Sequence, residues 1–98
     1  MSDMSNEGVQ ILVIEDEDDI RNLVVMNLKR AGFDVLSAGN GSDGLSLLRA
    51  HRPPVLLLDL MLPDMSGEDI CATLRSDPDT KGTYVIMVTA RTEEQDRI

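Results

Sequence analysis

Five consecutive acids, Glu15-Asp16-Glu17-Asp18-Asp19, follow directly on the apolar run "VQILVI", Val9 to Ile14. A second apolar run, "VLLLD", closes on Asp59, and a third, "TYVIMVTA", closes on Thr89 and Ala90. A carboxylate at the mouth of a buried strand is costly unless something of opposite sign sits there. If the first and third runs are neighbouring strands, Glu15, Asp16 and Asp59 converge, and three carboxylates at such range cannot all stay ionised alone. A divalent cation resolves the repulsion. Oxygen ligands without a Cys/His cluster point to Mg²⁺ rather than zinc. Mg²⁺ held by a few carboxylates keeps water and favours phosphate oxygens as further ligands. The Thr89 hydroxyl and nearby backbone N–H groups can donate to such an oxygen, and Asp59 can attack phosphorus to form an acyl phosphate. Singly, each signal has a plainer explanation. The acidic run suits a helix start, Thr89 suits a strand, and Asp59 suits the turn that follows. Their joint placement after three apolar runs carries the chemical reading.

The elements between these runs must bring them together. Val9–Ile14 reads as a strand. Asp18–Ala31 has apolar residues at 20, 23, 24, 28 and 31, which is helical spacing with Ile20, Leu23 and Val24 turned inward. Asp18 and Asp19 suit its N-terminus, Lys29 and Arg30 its C-terminus, and Gly32 its stop. Asp34–Ala38 is a second strand, and "GNGSDG" opens a second helix over about Ser42–Ala50, with Leu45 and Leu48 inward and Pro53-Pro54 beyond it. Val55–Asp59 shows no alternation, as expected of a strand covered on both faces. Ser66 caps a third helix, about Gly67–Arg75, with Ile70, Cys71 and Leu74 on its inner face. Thr83–Ala90 is a fourth strand, and Thr92 with Gln95 forms a capping-box start to a fourth helix. This β-α alternation predicts a parallel sheet with helices on both faces, whose sites lie at the carboxyl ends of the strands.

Composition narrows the function classes. The chain has 98 residues, a net charge of −9, one tyrosine and one phenylalanine. Strong acidity argues against direct contact with nucleic acid or an anionic membrane, and suits a cation or a basic partner. Cys71 is the only cysteine, so no internal disulfide forms and a reducing, cytoplasmic setting is expected. No apolar run approaches membrane-spanning length. Met1–Gly8 is polar and reads as a frayed tail, which leaves residues 9–98 as one domain.

With these residues in place, the chain resembles the receiver domain of two-component response regulators. "ILVIEDEDDIR" resembles the first strand and its acidic pair, "LLLDLMLPDMSG" the phosphoacceptor strand and loop, and "VIMVTAR" the strand that carries a switch Thr and a small neighbour. The wording, with "EEQDRI", is similar to the winged-helix transcription-factor branch. The resemblance implies a three-layer, doubly wound, flavodoxin-like or CheY-like α/β fold with strand order 2-1-3-4. It implies that Asp59 accepts phosphate from a sensor histidine kinase. It implies Mg²⁺ held by Asp16, Asp59 and the Met61 main-chain carbonyl, with Glu15 acting through water. Thr89 would move toward the phosphate and Ala90 would leave it access.

The family also carries a Lys at the end of a fifth strand, followed by a fifth helix, and this sequence ends before both. Its lysines are Lys29 and Lys81, which fall in the first helix and a loop. His51, at a helix C-terminus, is explained by the helix dipole, since the phosphohistidine belongs to the kinase. The expectation is a C-terminally truncated receiver, a kinase substrate rather than a turnover enzyme, whose DNA-binding output domain is absent from this chain. Without a fifth strand, the fourth becomes an apolar edge, and homo-association or strand exchange through it is expected. Two alternatives are a non-switching receiver acting as an association module, and a small Mg²⁺-dependent phosphatase. The phosphatase wants an acid two residues after Asp59, where Met61 stands.

Overall fold

The computed structural model describes residues 8–88. Its elements run β1 (Gln10–Ile14), α1 (Asp18–Arg30), β2 (Asp34–Ala38), α2 (Gly41–His51), β3 (Val55–Asp59), α3 (Gly67–Ser76) and β4 (Tyr84–Val88). The four strands form one sheet in the order β2-β1-β3-β4, every pairing parallel. This is the doubly wound α/β arrangement expected from the alternation of elements. Thr89, Ala90 and the helix expected from Thr92 lie outside the described residues, as does most of the expected N-terminal tail.

Strand periodicity divides the core. Leu12, Ile14, Leu56 and Leu58 are at most 1% exposed and pack with Leu48 of α2 and Ile70 and Leu74 of α3. Their alternates, including Val13 and Leu57, face α1, where Ile20 and Val24 meet them. Both faces of β1 and β3 are thus covered, which is why neither strand shows polar alternation.

Local signals account for the helix ends. The Gly32 N–H donates to the Lys29 carbonyl and the Phe33 N–H to the Leu28 carbonyl, with Gly32 at φ 99°. That is a Schellman closure, and it needs the left-handed conformation a glycine adopts without strain. Ser66 accepts from the Asp69 N–H at 3.1 Å, capping α3 as expected. Asn40 caps α2 by accepting from the Asp43 N–H at 2.8 Å, so the helix begins at Gly41, one residue earlier than its apolar spacing suggested. It ends on Arg52, which holds φ 48° ahead of Pro53.

Two sequence expectations shift. Val9 and Thr83 fall outside their strands. The Val9 carbonyl still accepts from the Asp34 N–H, whereas the Thr83 hydroxyl turns to the Pro53 carbonyl. Leu23, expected inward, is 55% exposed, and α1 has no fully buried residue. The helix lies over β1 and β2, which brings Ile20, Val24, Val25 and Leu28 to half-burial and leaves Leu23 and Met26 facing out.

The approach of α2 to β1 rests on Gly44. A Cβ there would lie 2.3 Å from Ile14 Cδ1 and 2.8 Å from Cγ1. Ile14 is 1% exposed and packed within the core, so a shift there disturbs its neighbours. Overpacking of this kind costs about 1–3 kcal/mol, against a helix-propensity gain of about 1 kcal/mol for Ala over Gly. Gly44→Ala should therefore lower stability in urea denaturation by about 1 kcal/mol net. Adding Ile14→Val should recover part of the loss, and a strictly additive double variant would refute the contact as its cause.

Candidate functional site

Strand register builds the site. In the β1–β3 ladder Ile14 lies opposite Leu58, so Glu15 and Asp59, the next residue of each chain, meet at the carboxyl end of the sheet. Asp16 follows on the same turn. Carboxylate oxygens of Glu15, Asp16 and Asp59 all lie within 4.8 Å of one another. Glu15 is 5% and Asp59 3% exposed, while Asp16 is half-buried. The convergence expected from the sequence is present, and it sits at the switch in strand order where open α/β sheets place their sites. Thr89 and Ala90, the other expected members, lie outside the described residues.

Backbone donors steady two of the acids. The Glu17 N–H donates to Glu15 Oε2 at 2.9 Å, and the Met61 N–H donates to Asp59 Oδ1 at 3.1 Å. The segment after Asp59 closes on itself. The Gly67 N–H donates to the Leu60 carbonyl at 3.1 Å, and Met61 and Ser66 form an antiparallel bridge. Gly67 must be small for this. A Cβ would stand 3.1 Å from the Leu60 Cα and 3.3 Å from the Asp59 carbonyl oxygen. The floor on the α1 side is a cavity of about 40 Å³ walled by Ile20, Val24, Leu57 and Val88 as well as by Glu15 and Asp59. Apolar surroundings of this kind deepen the desolvation of the acids above them.

Two residues that local spacing did not single out hold the surroundings. Arg21 donates from Nη1 to the Glu15 carbonyl at 2.9 Å and from Nη2 to Asp18 Oδ1 at 2.6 Å. It places a cation against the backbone of an acidic segment, and its spacing from Asp18 on one helix face was the available signal. Asp64 reaches from the β3–α3 loop to the first turn of α2, accepting from the Gly41 N–H at 2.8 Å and the Ser42 N–H at 2.9 Å. These bonds hold its carboxyl below the ordinary carboxylate range. Nothing local marked it, since an Asp after a Pro reads as turn chemistry.

The donor set is all oxygen, carboxylate and closely grouped, which fits a hard divalent cation and not zinc. The electrostatics agree. Burial pushes the Glu15 carboxyl above its ordinary range. The Asp59 charge, a hydrogen bond with Asp59 and the Asp16 charge push the same way, against the Glu17 N–H. Because Glu15's folded pKa exceeds its unfolded one, both states are neutral at low pH. As pH rises the unfolded chain ionises first, so stability falls until Glu15 ionises in the fold too. Glu15→Gln should therefore raise the urea midpoint at pH 7 without divalent cations, and the gain should vanish below the usual carboxylate range. A gain independent of pH would mean a packing effect instead.

Residues 11–98 match the family model of the response regulator receiver domain. The chain is 40% identical over 92 residues to the probable transcriptional regulatory protein TcrX of Mycobacterium tuberculosis, a match that covers 94% of this chain and 38% of that protein. It is 40% identical over 87 residues to the DNA-binding response regulator MtrA of Mycolicibacterium smegmatis, covering 89% of this chain and 37% of that one. The chain thus spans less than two fifths of the length of these relatives. Among solved structures it is similar to the N-terminal domain of a response regulator receiver protein from Methanoculleus marisnigri, with TM-score 0.79 and 33% identity over 90% of this chain and 74% of that one. It is also similar to the chemotaxis response regulator CheY4 of Vibrio cholerae, with TM-score 0.82 and 27% identity over 92% of this chain and 75% of that one. The matched family model, the strand order and the acidic end of the sheet agree: the chain belongs to the response regulator receiver domain family.

Proposed function

We propose that Asp59 accepts a phosphoryl group from the phosphohistidine of a sensor histidine kinase in a Mg²⁺-dependent reaction, and that the phosphorylated chain signals by changing conformation. The convergence of Glu15, Asp16 and Asp59 within 4.8 Å carries this reading. Asp16, Asp59 and the Met61 main-chain carbonyl would hold the cation directly, and Glu15 through water. A cation held there would supply positive charge for the phosphoryl oxygens. Asp59 supplies the attacking carboxylate oxygen. The new O–P bond forms as the P–N bond breaks, and the electron pair returns to the kinase imidazole. The Met61 N–H on Asp59 Oδ1 orients that carboxylate for attack. By its likeness to the family, Thr89 supplies a hydroxyl that follows the phosphate and Ala90 leaves room for it. The chain then acts as a kinase substrate in the cytoplasm rather than as a turnover enzyme. The relative MtrA is named as DNA-binding, which supports a DNA-binding output domain outside residues 9–98.

Incubation with a small phosphodonor and intact-mass measurement test this directly. A phosphate-sized gain is expected with Mg²⁺, and none with EDTA or in Asp59→Asn. A gain retained in Asp59→Asn would refute the assignment.

Association through β4 is the second part of the proposal, favoured by one observation. Among the described residues β4 is an edge strand, and Tyr84, Ile86, Met87 and Val88 on it are 66, 40, 42 and 37% exposed. A second copy pairing there would cover them and satisfy the open backbone row. This also suits the alternative of a receiver that associates without switching. Sedimentation velocity should show concentration-dependent dimers that Ile86→Lys shifts to monomer. Unchanged monomers at every concentration would reject it.

A further inference from the structure

The β3–α3 loop meets α2 through a contact that ordinary turn formation does not require. Both Asp64 oxygens are used, one on the Gly41 N–H at 2.8 Å and one on the Ser42 N–H at 2.9 Å, across 23 and 22 residues of chain. Met65 lies over the same turn, so close that a Cβ on Gly41 would fall 2.3 Å from Met65 Cγ. The helix already has a local cap in Asn40. Asp64 therefore adds a link between two elements rather than the cap itself. The other end of the loop is fixed at the site, where the Met61 N–H donates to Asp59 and Met61 bridges to Ser66. The loop is thus tied at its base to Asp59 and at its tip to α2. Only the second tie depends on a side chain that no local rule selects.

We infer that Asp64 is a positioning residue for the cation site, clamping the loop onto α2 so that the Met61 carbonyl is held where Asp16 and Asp59 can share a cation with it. The inference rests on the proposed ligand set. Losing an outer partner of a metal ligand typically weakens binding by about 10–100-fold. Here the clamp acts through the intervening loop, so the low end of that range is expected.

The test titrates the whole chain with Mg²⁺ and follows the backbone amide shifts of Asp59, Leu60 and Met61 by NMR. Asp64→Ala should raise the Mg²⁺ dissociation constant about tenfold. Asp64→Asn, which keeps one acceptor oxygen, should fall between it and the unchanged chain. Asn40→Ala removes a cap from the same helix but leaves the loop tied, and should bind Mg²⁺ as the unchanged chain does. Equal weakening by Asn40→Ala and Asp64→Ala would reduce Asp64 to a helix cap and overturn the inference. So would an Asp64→Ala protein with unaltered affinity. If Asp64→Ala does not fold, the contrast between Asp64→Asn and Asn40→Ala decides the same question. Absence of Mg²⁺ binding in the unchanged chain would instead sink the ligand set, and the inference with it. Binding there, with no effect at Asp64, would sink the inference alone.

Discussion

Ile14 lies opposite Leu58 in the β1–β3 ladder, both at most 1% exposed, so the residues that follow them cannot move apart. Glu15 and Asp59 are held together by hydrophobic packing that has nothing to gain from their meeting. A slip of one residue in this register would turn either Leu12 and Ile14 or Leu56 and Leu58 off the face they share, so the core opposes the relaxation that like charges would seek. Burial is the main reason the Glu15 carboxyl is raised, and the Asp59 and Asp16 charges, held close by this packing, add to it. A cation bound there would convert the same closeness from a cost into affinity.

The backbone around the acids limits how far their repulsion is relieved without a cation. The Glu17 and Met61 N–H groups each take one carboxylate oxygen, and Arg21 draws on the Glu15 carbonyl. Such bonds favour the charged form but do not neutralise it. They fix orientation. Gly67 belongs with them, because its missing side chain lets the first turn of α3 press against Leu60 and the Asp59 carbonyl. The loop is short, doubly closed and tied to α2 at Asp64, so the acids are presented by a stiff frame.

Much of this was legible because the informative signals are local. The unbroken apolar run ending on Asp59, the acidic run after Ile14, the Ser66 cap and the Gly32 stop all work within a few residues. Strand alternation and right-handed crossovers then leave few topologies, and the order that sets β1 beside β3 came from the likeness to the family. What escaped was tertiary. Asp64 bonds a helix 22 and 23 residues away, and no periodicity encodes that partnership. Leu23 carries the right spacing for an inner face, yet spacing specifies a stripe and not the surface available to cover it. On α1 the packing concentrates on β1 and β2, which leaves Leu23 outside it. Thr89 and Ala90 lie beyond the described residues, and their place rests on likeness to the family.

The exposed side of the sheet is not independent of the acids. Val88 lies opposite Asp59 in the β3–β4 register, and its neighbour across the cavity floor is the apolar face of α1. A strand added at the outer edge of β4 would lie two strand spacings, about 10 Å, from β3 and would meet the site only through Val88. Covering Val88 removes water from one wall of the site. The lower local dielectric strengthens the repulsion among Glu15, Asp16 and Asp59 and the attraction of all three for a cation. Without a cation, covering that edge would work against the acids, and a bound cation would reduce that opposition. If a second copy pairs with β4, its binding and that of a cation would be coupled through this strand, and each would then change the other's affinity by the same factor.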